Sequence, residues 1–154
     1  MLIRSALKED ALPISELVNA LVYHYLSKNV RELPDWLLSS LKNSAFEDRL
    51  SSEEFITFIL ESKGEIIGYI ALKKPNHLYH LFVNESYQGR GIAKKLWIHL
   101  LENCEEKTIS VNSSMNAVEV YKRFGFIETD IKQEKEGIWF LPMEFHSNFK
   151  DPCV

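Results

Sequence analysis

Residues 87 to 97 read YQGRGIAKKLW, two glycines running straight into a lysine-bearing amphipathic stretch. Gly89 and Gly91 carry no Cβ, so a ligand can come close to the backbone and positive φ costs little. The first amides of a helix starting here have no intrahelical acceptor, and the dipole adds partial positive charge. With Arg90, Lys94 and Lys95 alongside, these amides suit an anion such as a pyrophosphate. A structural turn followed by a solvated basic helix would use the same residues. Two familiar phosphate motifs are excluded. The fingerprint G-x-G-x-x-G meets Lys94 where its third glycine belongs, and G-x-x-x-x-G-K-[ST] occurs nowhere in the chain.

The loop needs a strand before it and a helix after it. "HLYHLFV" reads as the strand, following a "KPN" turn. Ile92, Ala93, Leu96, Trp97, Leu100, Leu101 and Cys104 make one apolar helical face. "KTISVN" is then a strand and "NAVEVYKRF" a helix stopping at Gly125. Strand 78–84, helix 91–104 and strand 107–112 form a crossover unit, so those two strands should be parallel.

Upstream, "MLIRSA" reads as a short strand, and Leu12, Leu17, Leu21 and Tyr25 suggest a helix over about 9–28. A short helix follows Pro34, with Asp35 as its cap. "EFITFILES" and "EIIGYIALK", separated by "KG", read as a β-hairpin, and "FIETDIKQE" and "IWFLPMEF" as another, turning at Glu136-Gly137. The predicted fold is α/β (α+β): a mixed, mostly antiparallel sheet with a central parallel pair and about four helices.

The 154 residues, with no internal repeat or Gly/Ser linker, are read as a single domain spanning 1–154. A hydrophobic fraction of 45% with 26% charged residues is that of a globular chain. The net charge of −4 argues against a nucleic-acid partner, which would favour a basic face. Cys104 and Cys153 are too few for a disulfide framework, and no cluster suggests a metal. "MLIRSALKED" lacks a signal-like apolar run, and no stretch reaches the roughly 18 to 20 apolar residues of a membrane span. A cytoplasmic protein without membrane attachment is the expectation.

Two motifs together resemble the GNAT superfamily of N-acetyltransferases. "LFVNESYQGRGIA" is similar to its acyl-CoA-binding motif: a strand ending at Val83, then Gln88-x-x-Gly91-x-Ala93 opening a helix. "VNSSMNAVEVYKRFGF" is similar to its second motif, in which a tyrosine lies on a short helix ending in Gly-Phe. The resemblance extends to the order of elements along the whole chain. It implies that the parallel strands splay apart around the pantetheine arm of acetyl-CoA, and that the anion at the glycine loop is the pyrophosphate.

Several residue roles follow from the resemblance. Backbone groups of Leu81, Phe82 and Val83 would bind the arm, and the amide near Val83 could polarise the thioester carbonyl. Amides across Gln88, Gly89, Arg90, Gly91, Ile92, Ala93 and Lys94 would bind the pyrophosphate. Tyr121 would be the general acid for the leaving thiolate, since a phenol stays protonated at neutral pH. Counting back six from Val83 reaches His77, where some relatives place their base, and its imidazole has a suitable pKa of about 6.5. Alternation puts His77, Tyr79, Leu81 and Val83 on one strand face, with His80 and Phe82 on the other. A turn histidine, or a base reached through water, is the alternative. Asn112 ends its strand facing the cleft and could touch coenzyme or acceptor. Many relatives have an asparagine at the position of Ser114; here Asn116 instead forms an N-x-x-E capping box with Glu119, or contacts the coenzyme.

The implied reaction is acetyl transfer from acetyl-CoA to a small-molecule or peptide amine. A coenzyme-A-binding module without catalysis is a second reading, and an acetyltransferase acting on charged transfer RNA a third. Trp36, Phe46, Tyr79 and Trp139 are either acceptor-pocket or core aromatics. Dimerisation is common in the family, and "IWFLPMEF" could take part in a homodimer, with Pro142 suggesting an edge or bulge.

Overall fold

A computed structural model describes residues 1–25 and 32–147. Leu2–Ser5 form β1, and Ala11–Leu21 form α1. Asp35–Ser40 and Asn43–Ser51 are α2 and α3, followed by β2 (Phe55–Ser62), β3 (Glu65–Lys73) and β4 (His77–Val83). Ile92–Glu102 are α4, Thr108–Ser114 β5 and Val118–Phe124 α5. The short strands β6 (Ile127–Glu128) and β7 (Gln133–Lys135) precede β8 (Ile138–His146). The sheet runs β1-β2-β3-β4-β5-β8-β6, with β7 also on β8. Among the described strands only β4 and β5 pair in parallel, as the crossover requires.

Turn chemistry sets the hairpins. Lys63-Gly64 and Glu136-Gly137 have positive φ at both residues, the two-residue turn whose twist matches paired strands. They close β2 on β3 at Ser62↔Glu65 and β7 on β8 at Lys135↔Ile138.

Each sheet face carries its own core. On one face α4 supplies Ile92, Leu96, Trp97 and Leu100, and α5 supplies Val118 and Tyr121, against Ile70, Leu72, Leu78 and Val111. On the other, Ile14, Val18, Leu37 and Phe46 from α1–α3 cover Ile59, Tyr69 and Phe82. A Cβ on Gly68 of β3 would lie 2.9 Å from Leu96 Cδ1 and 3.2 Å from Ile92 Cγ2, so the glycine lets α4 dock closely. Arg4 ties β1 to the start of α1 through Asp10 (2.8 and 2.9 Å) and to β2 through Glu61 (2.6 Å).

Four expectations change. The helix over 9–28 is α1 followed by a 3-10 turn, Val22–Tyr25; residues 26–28 lie outside those described, as does Cys153. α3 is an additional helix, giving five among the described residues. "FIETDIKQE" is broken into β6 and β7, because Asp130 accepts from Ile131 N–H at 2.8 Å and Gln133 Nε2 at 3.1 Å and turns the chain. Pro142 is at neither an edge nor a bulge. It sits inside β8 opposite Asn112, and its carbonyl still accepts from Thr129 N–H at 3.0 Å.

Candidate active site

β4 and β5 pair only at His77↔Ser110 and Leu78↔Val111. Beyond that, β4 stays with β3 as far as Val83↔Gly68, and β5 stays with β8 as far as Ser114↔Phe140. The two central strands therefore part company, each held by its outer neighbour. The register shift between β3 and β4 leaves Tyr79 as an extra residue on β4, a bulge that bends the strand where the parting begins.

The bulge also changes which way the side chains point. Leu78, Leu81 and Val83 belong to the α4 core, whereas Phe82 belongs to the α1–α3 core. His77, next to Leu78 and opposite Ser110, lies on the α1–α3 face. The expected grouping of His77 with Leu81 and Val83 is thus corrected, because one inserted residue inverts strand parity.

At the far end of β4 the loop is tied down by its own groups. Asn84 Oδ1 accepts from Ser86 N–H at 2.9 Å, and Tyr87 N–H donates to Asn84 C=O at 2.8 Å. Gln88 Nε2 donates to Val83 C=O at 3.0 Å. Gly89 and Gly91 have φ of 79° and 77°, and a Cβ on either would meet nothing within 4 Å. Their requirement is backbone torsion with open space in front, as an approaching ligand needs. The first intrahelical bond of α4 is Lys95 N–H to Gly91 C=O at 3.0 Å, so the amides of Ile92, Ala93 and Lys94 lie ahead of it. Gln88 N–H donates to Glu85 C=O at 3.3 Å, so this amide is already engaged within the loop. The Arg90 guanidinium sits 5.1 Å over the Tyr87 ring, while Lys94 and Lys95 are exposed. Open glycines, leading amides and basic side chains fit a pyrophosphate.

Tyr121 is on α5, which ends where Gly125 (φ 100°) lets Phe126 N–H return to Tyr121 C=O at 3.0 Å. Its ring stands edge-on to Phe124 and Phe126, in the same core as Val83 and Ile92. Burial pushes the phenol well above its ordinary value, so it holds its proton throughout the neutral range.

His77 Nδ1 lies 2.8 Å from Ser110 Oγ. Burial, then the charge of Lys73, lowers the imidazole pKa, favouring the neutral ring. Asn112, exposed, is two residues along from Ser110 on the same face. Asn116 lies in the 3-10 turn Met115–Ala117, and α5 is capped by Ala117 with no side-chain bond. The turn delays the helix past Asn116, so the N-cap position of α5 falls on Ala117 rather than on the expected Asn116.

Sequence reasoning missed a polar cluster on the α1–α3 face. His80 is ringed by Phe46, Tyr69, Tyr79 and Phe82 at 4.3–5.9 Å. Burial and the Arg49 charge push its pKa down to about 3. Arg49 donates to Ser40 C=O at 2.6 Å and stacks over Phe46 and Tyr79. Among the described residues, Arg49 Nε, Tyr69 Oη and His80 Nδ1 are buried with no hydrogen-bond partner. Three elements contribute these residues, and no local spacing announces them. Of the candidate acceptor-pocket aromatics, Phe46 is fully buried in the core and Tyr79 packs on Phe55. Trp36 is 37% exposed with Lys135 over its ring, and Lys132 covers Trp139.

Among the described residues, no group of three or more His, Cys, Asp or Glu is placed to hold a metal. No helix among them is long and apolar enough to cross a membrane.

A family model described as an acetyltransferase (GNAT) domain matches residues 25–147. No curated protein sequence matches. Among solved structures, the PaiA N-acetyltransferase of Thermoplasma acidophilum, solved with coenzyme A, is similar at a TM-score of 0.79 and 16% identity, covering 94% of this chain and 98% of that one. A GCN5-related N-acetyltransferase of Rhodopseudomonas palustris is similar at a TM-score of 0.75 and 23% identity, covering 94% of each chain. The ribosomal-protein-S18-alanine N-acetyltransferase of Escherichia coli is similar at a TM-score of 0.71 and 17% identity, covering 99% of this chain and 97% of that one.

Proposed function

The chain belongs to the GNAT acetyltransferase family, and we propose that it transfers the acetyl group of acetyl-CoA to a primary amine of a small molecule or peptide, by direct attack within a ternary complex. The observation that carries this reading is the parting of β4 from β5 after Leu78 and Val111, with the leading amides of α4 past the end of β4. An extended thioester arm lies in such a gap as a strand would, and its diphosphate meets the helix terminus.

Acetyl-CoA supplies the activated acyl thioester. Backbone groups of Leu81, Phe82 and Val83 hold and polarise it, and amides from Gly89 to Lys94, with Arg90, take its pyrophosphate. Asn112 and Asn116 border the opening. The acceptor amine arrives as an ammonium ion and must lose a proton before it can attack. His77, neutral and on the α1–α3 face, takes that proton directly or through water. As the carbon–sulfur bond breaks, Tyr121 donates its hydroxyl proton to the thiolate. Tyr121 is reprotonated by the excess proton of the tetrahedral adduct, and His77 releases its own proton to solvent. The products are an amide, coenzyme A thiol and one proton. In this reading residues 1–154 act as one N-acetyltransferase domain in the cytoplasm, requiring no metal, nucleic acid or membrane, with a homodimer as the assembly the family would favour.

The test is coenzyme A thiol release from acetyl-CoA against polyamines, aminoglycosides, amino acids and N-terminal peptides, for wild type and Tyr121→Phe. Release that depends on one amine class and drops at least ~10-fold in the variant is expected. Amine-dependent release unchanged in Tyr121→Phe removes the tyrosine from the mechanism. Absence of release from a protein that acetyl-CoA stabilises against heat points to a binding module.

A further inference from the structure

Ser110 faces His77 across the parallel pairing, and that pair and its neighbour Leu78↔Val111 are all that join β4 to β5. Ser110 N–H donates to Asn76 C=O at 2.9 Å, and Asn76 Nδ2 to Thr108 C=O at 3.0 Å, so both backbones are fixed here. On that base the 2.8 Å contact between Ser110 Oγ and His77 Nδ1 is held from both sides. The charged groups in the same cross-strand row are Lys73 opposite His77 and Glu144 opposite Ser110, and Glu144 is engaged with His146 Nε2 at 3.0 Å.

A histidine can accept a proton on only one ring nitrogen at a time, and the partner of the other nitrogen selects which. If the serine donates to Nδ1, then Nε2 carries the hydrogen and cannot act as a base. If Nδ1–H donates to Oγ, then Nε2 offers its lone pair, and the same bond stabilises the imidazolium that forms. The His77 ring has no other hydrogen bond among the described residues, so Ser110 is the group that decides.

We propose that Ser110 is a positioning residue: its Oγ accepts from His77 Nδ1–H, fixing the ring and its tautomer so that Nε2 takes the acceptor amine's proton. This rests on His77 being the base. The proton moves from the amine nitrogen to Nε2, the nitrogen keeps the electron pair for attack on the thioester carbon, and the Nδ1 hydrogen stays on the ring, donated to Ser110 Oγ throughout.

The first test needs no acceptor. Nitrogen-15 spectra of the imidazoles, with His77 assigned through His77→Gln, report which ring nitrogen carries the proton in the protein. A neutral His77 protonated at Nδ1 in wild type and in Ser110→Thr, reverting to Nε2–H in Ser110→Ala, is the expected result. Protonation at Nε2 in the wild type, or an unchanged tautomer in Ser110→Ala, overturns the proposal. In turnover with any amine that supports thiol release, Ser110→Ala should lower kcat about 10-fold with KM for acetyl-CoA unchanged, and Ser110→Thr should recover most of it. A slow His77→Gln beside a full-rate Ser110→Ala removes the role of Ser110 alone. A full-rate His77→Gln removes the base itself, and the inference with it.

Discussion

Gln88 Nε2 reaches back five residues to the carbonyl of Val83, 3.0 Å away, and so closes the glycine loop on the strand it leaves. One side chain thereby couples two parts of the proposed coenzyme site, the strand end and the anion cradle.

Removing that coupling should affect binding more than folding. Gln88 is exposed overall, and a single neutral hydrogen bond contributes about 0.5–1.5 kcal/mol. Gln88→Ala is expected to weaken coenzyme A binding roughly 2- to 10-fold, the range that energy corresponds to, and to lower the melting temperature by no more than a few degrees. Titration calorimetry with coenzyme A checks it; equal affinity in the variant would mean that the loop keeps its shape unaided.

Gly68 supports the site from below. With a Cβ placed 2.9 Å from Leu96 Cδ1, Gly68→Ala forces α4 outward or distorts Leu96, at a cost of about 1–3 kcal/mol. For a chain of this size each kcal/mol is roughly 2–4 °C of melting temperature. A thermal melt should therefore drop by several degrees, and a melt within a degree of wild type would show that α4 can yield.

The pH–rate profile should have its acidic limb set by His77. Its pKa is lowered by burial and then by Lys73, so kcat/KM should fall only below an apparent pKa under the usual 6.5. Tyr121, raised by burial, should contribute no alkaline limb below its ordinary value of about 10. His77→Gln should flatten the acidic limb, and a limb that survives that substitution belongs to another group.

His80 should make folding sensitive to acid. Its folded pKa of about 3 lies below the unfolded value of 6.5, so between those values the unfolded chain binds the extra proton. Stability from this group is complete above pH ~6.5 and declines toward pH ~3, by at most about 1.4 kcal/mol per pH unit. Urea unfolding at pH 7, 5 and 4 should show the decline in wild type and a shallower one in His80→Phe. Parallel slopes in the two proteins would remove His80 as the cause.

What could be read ahead of the structure depended on whether a signal repeats locally. α4 buries Ile92, Leu96, Trp97 and Leu100, a regular stripe, and its position followed from that stripe alone. Gly125 and the Lys63-Gly64 and Glu136-Gly137 turns were legible because positive φ selects residue type. α3 was not, since Phe46 is its only fully buried residue and a single anchor has no period. The bulge at Tyr79 has no mark in "HLYHLFV", and it reversed the facing of His77. The contact of His77 with Ser110 spans 33 residues, and that of Arg49 with Tyr79 joins separate elements, which periodicity cannot see.

The sheet is in effect two panels, β1–β4 and β5–β8, sharing one short seam at His77–Leu78 and Ser110–Val111. Such a seam is the narrow end of a wedge. The opening is widest at Val83 and Ser114 and closed at the seam itself. A guest at the wide end would leave the histidine and serine at the vertex at their spacing. Adaptability and fixed proton geometry are then compatible in one sheet, because they sit at opposite ends of the same wedge.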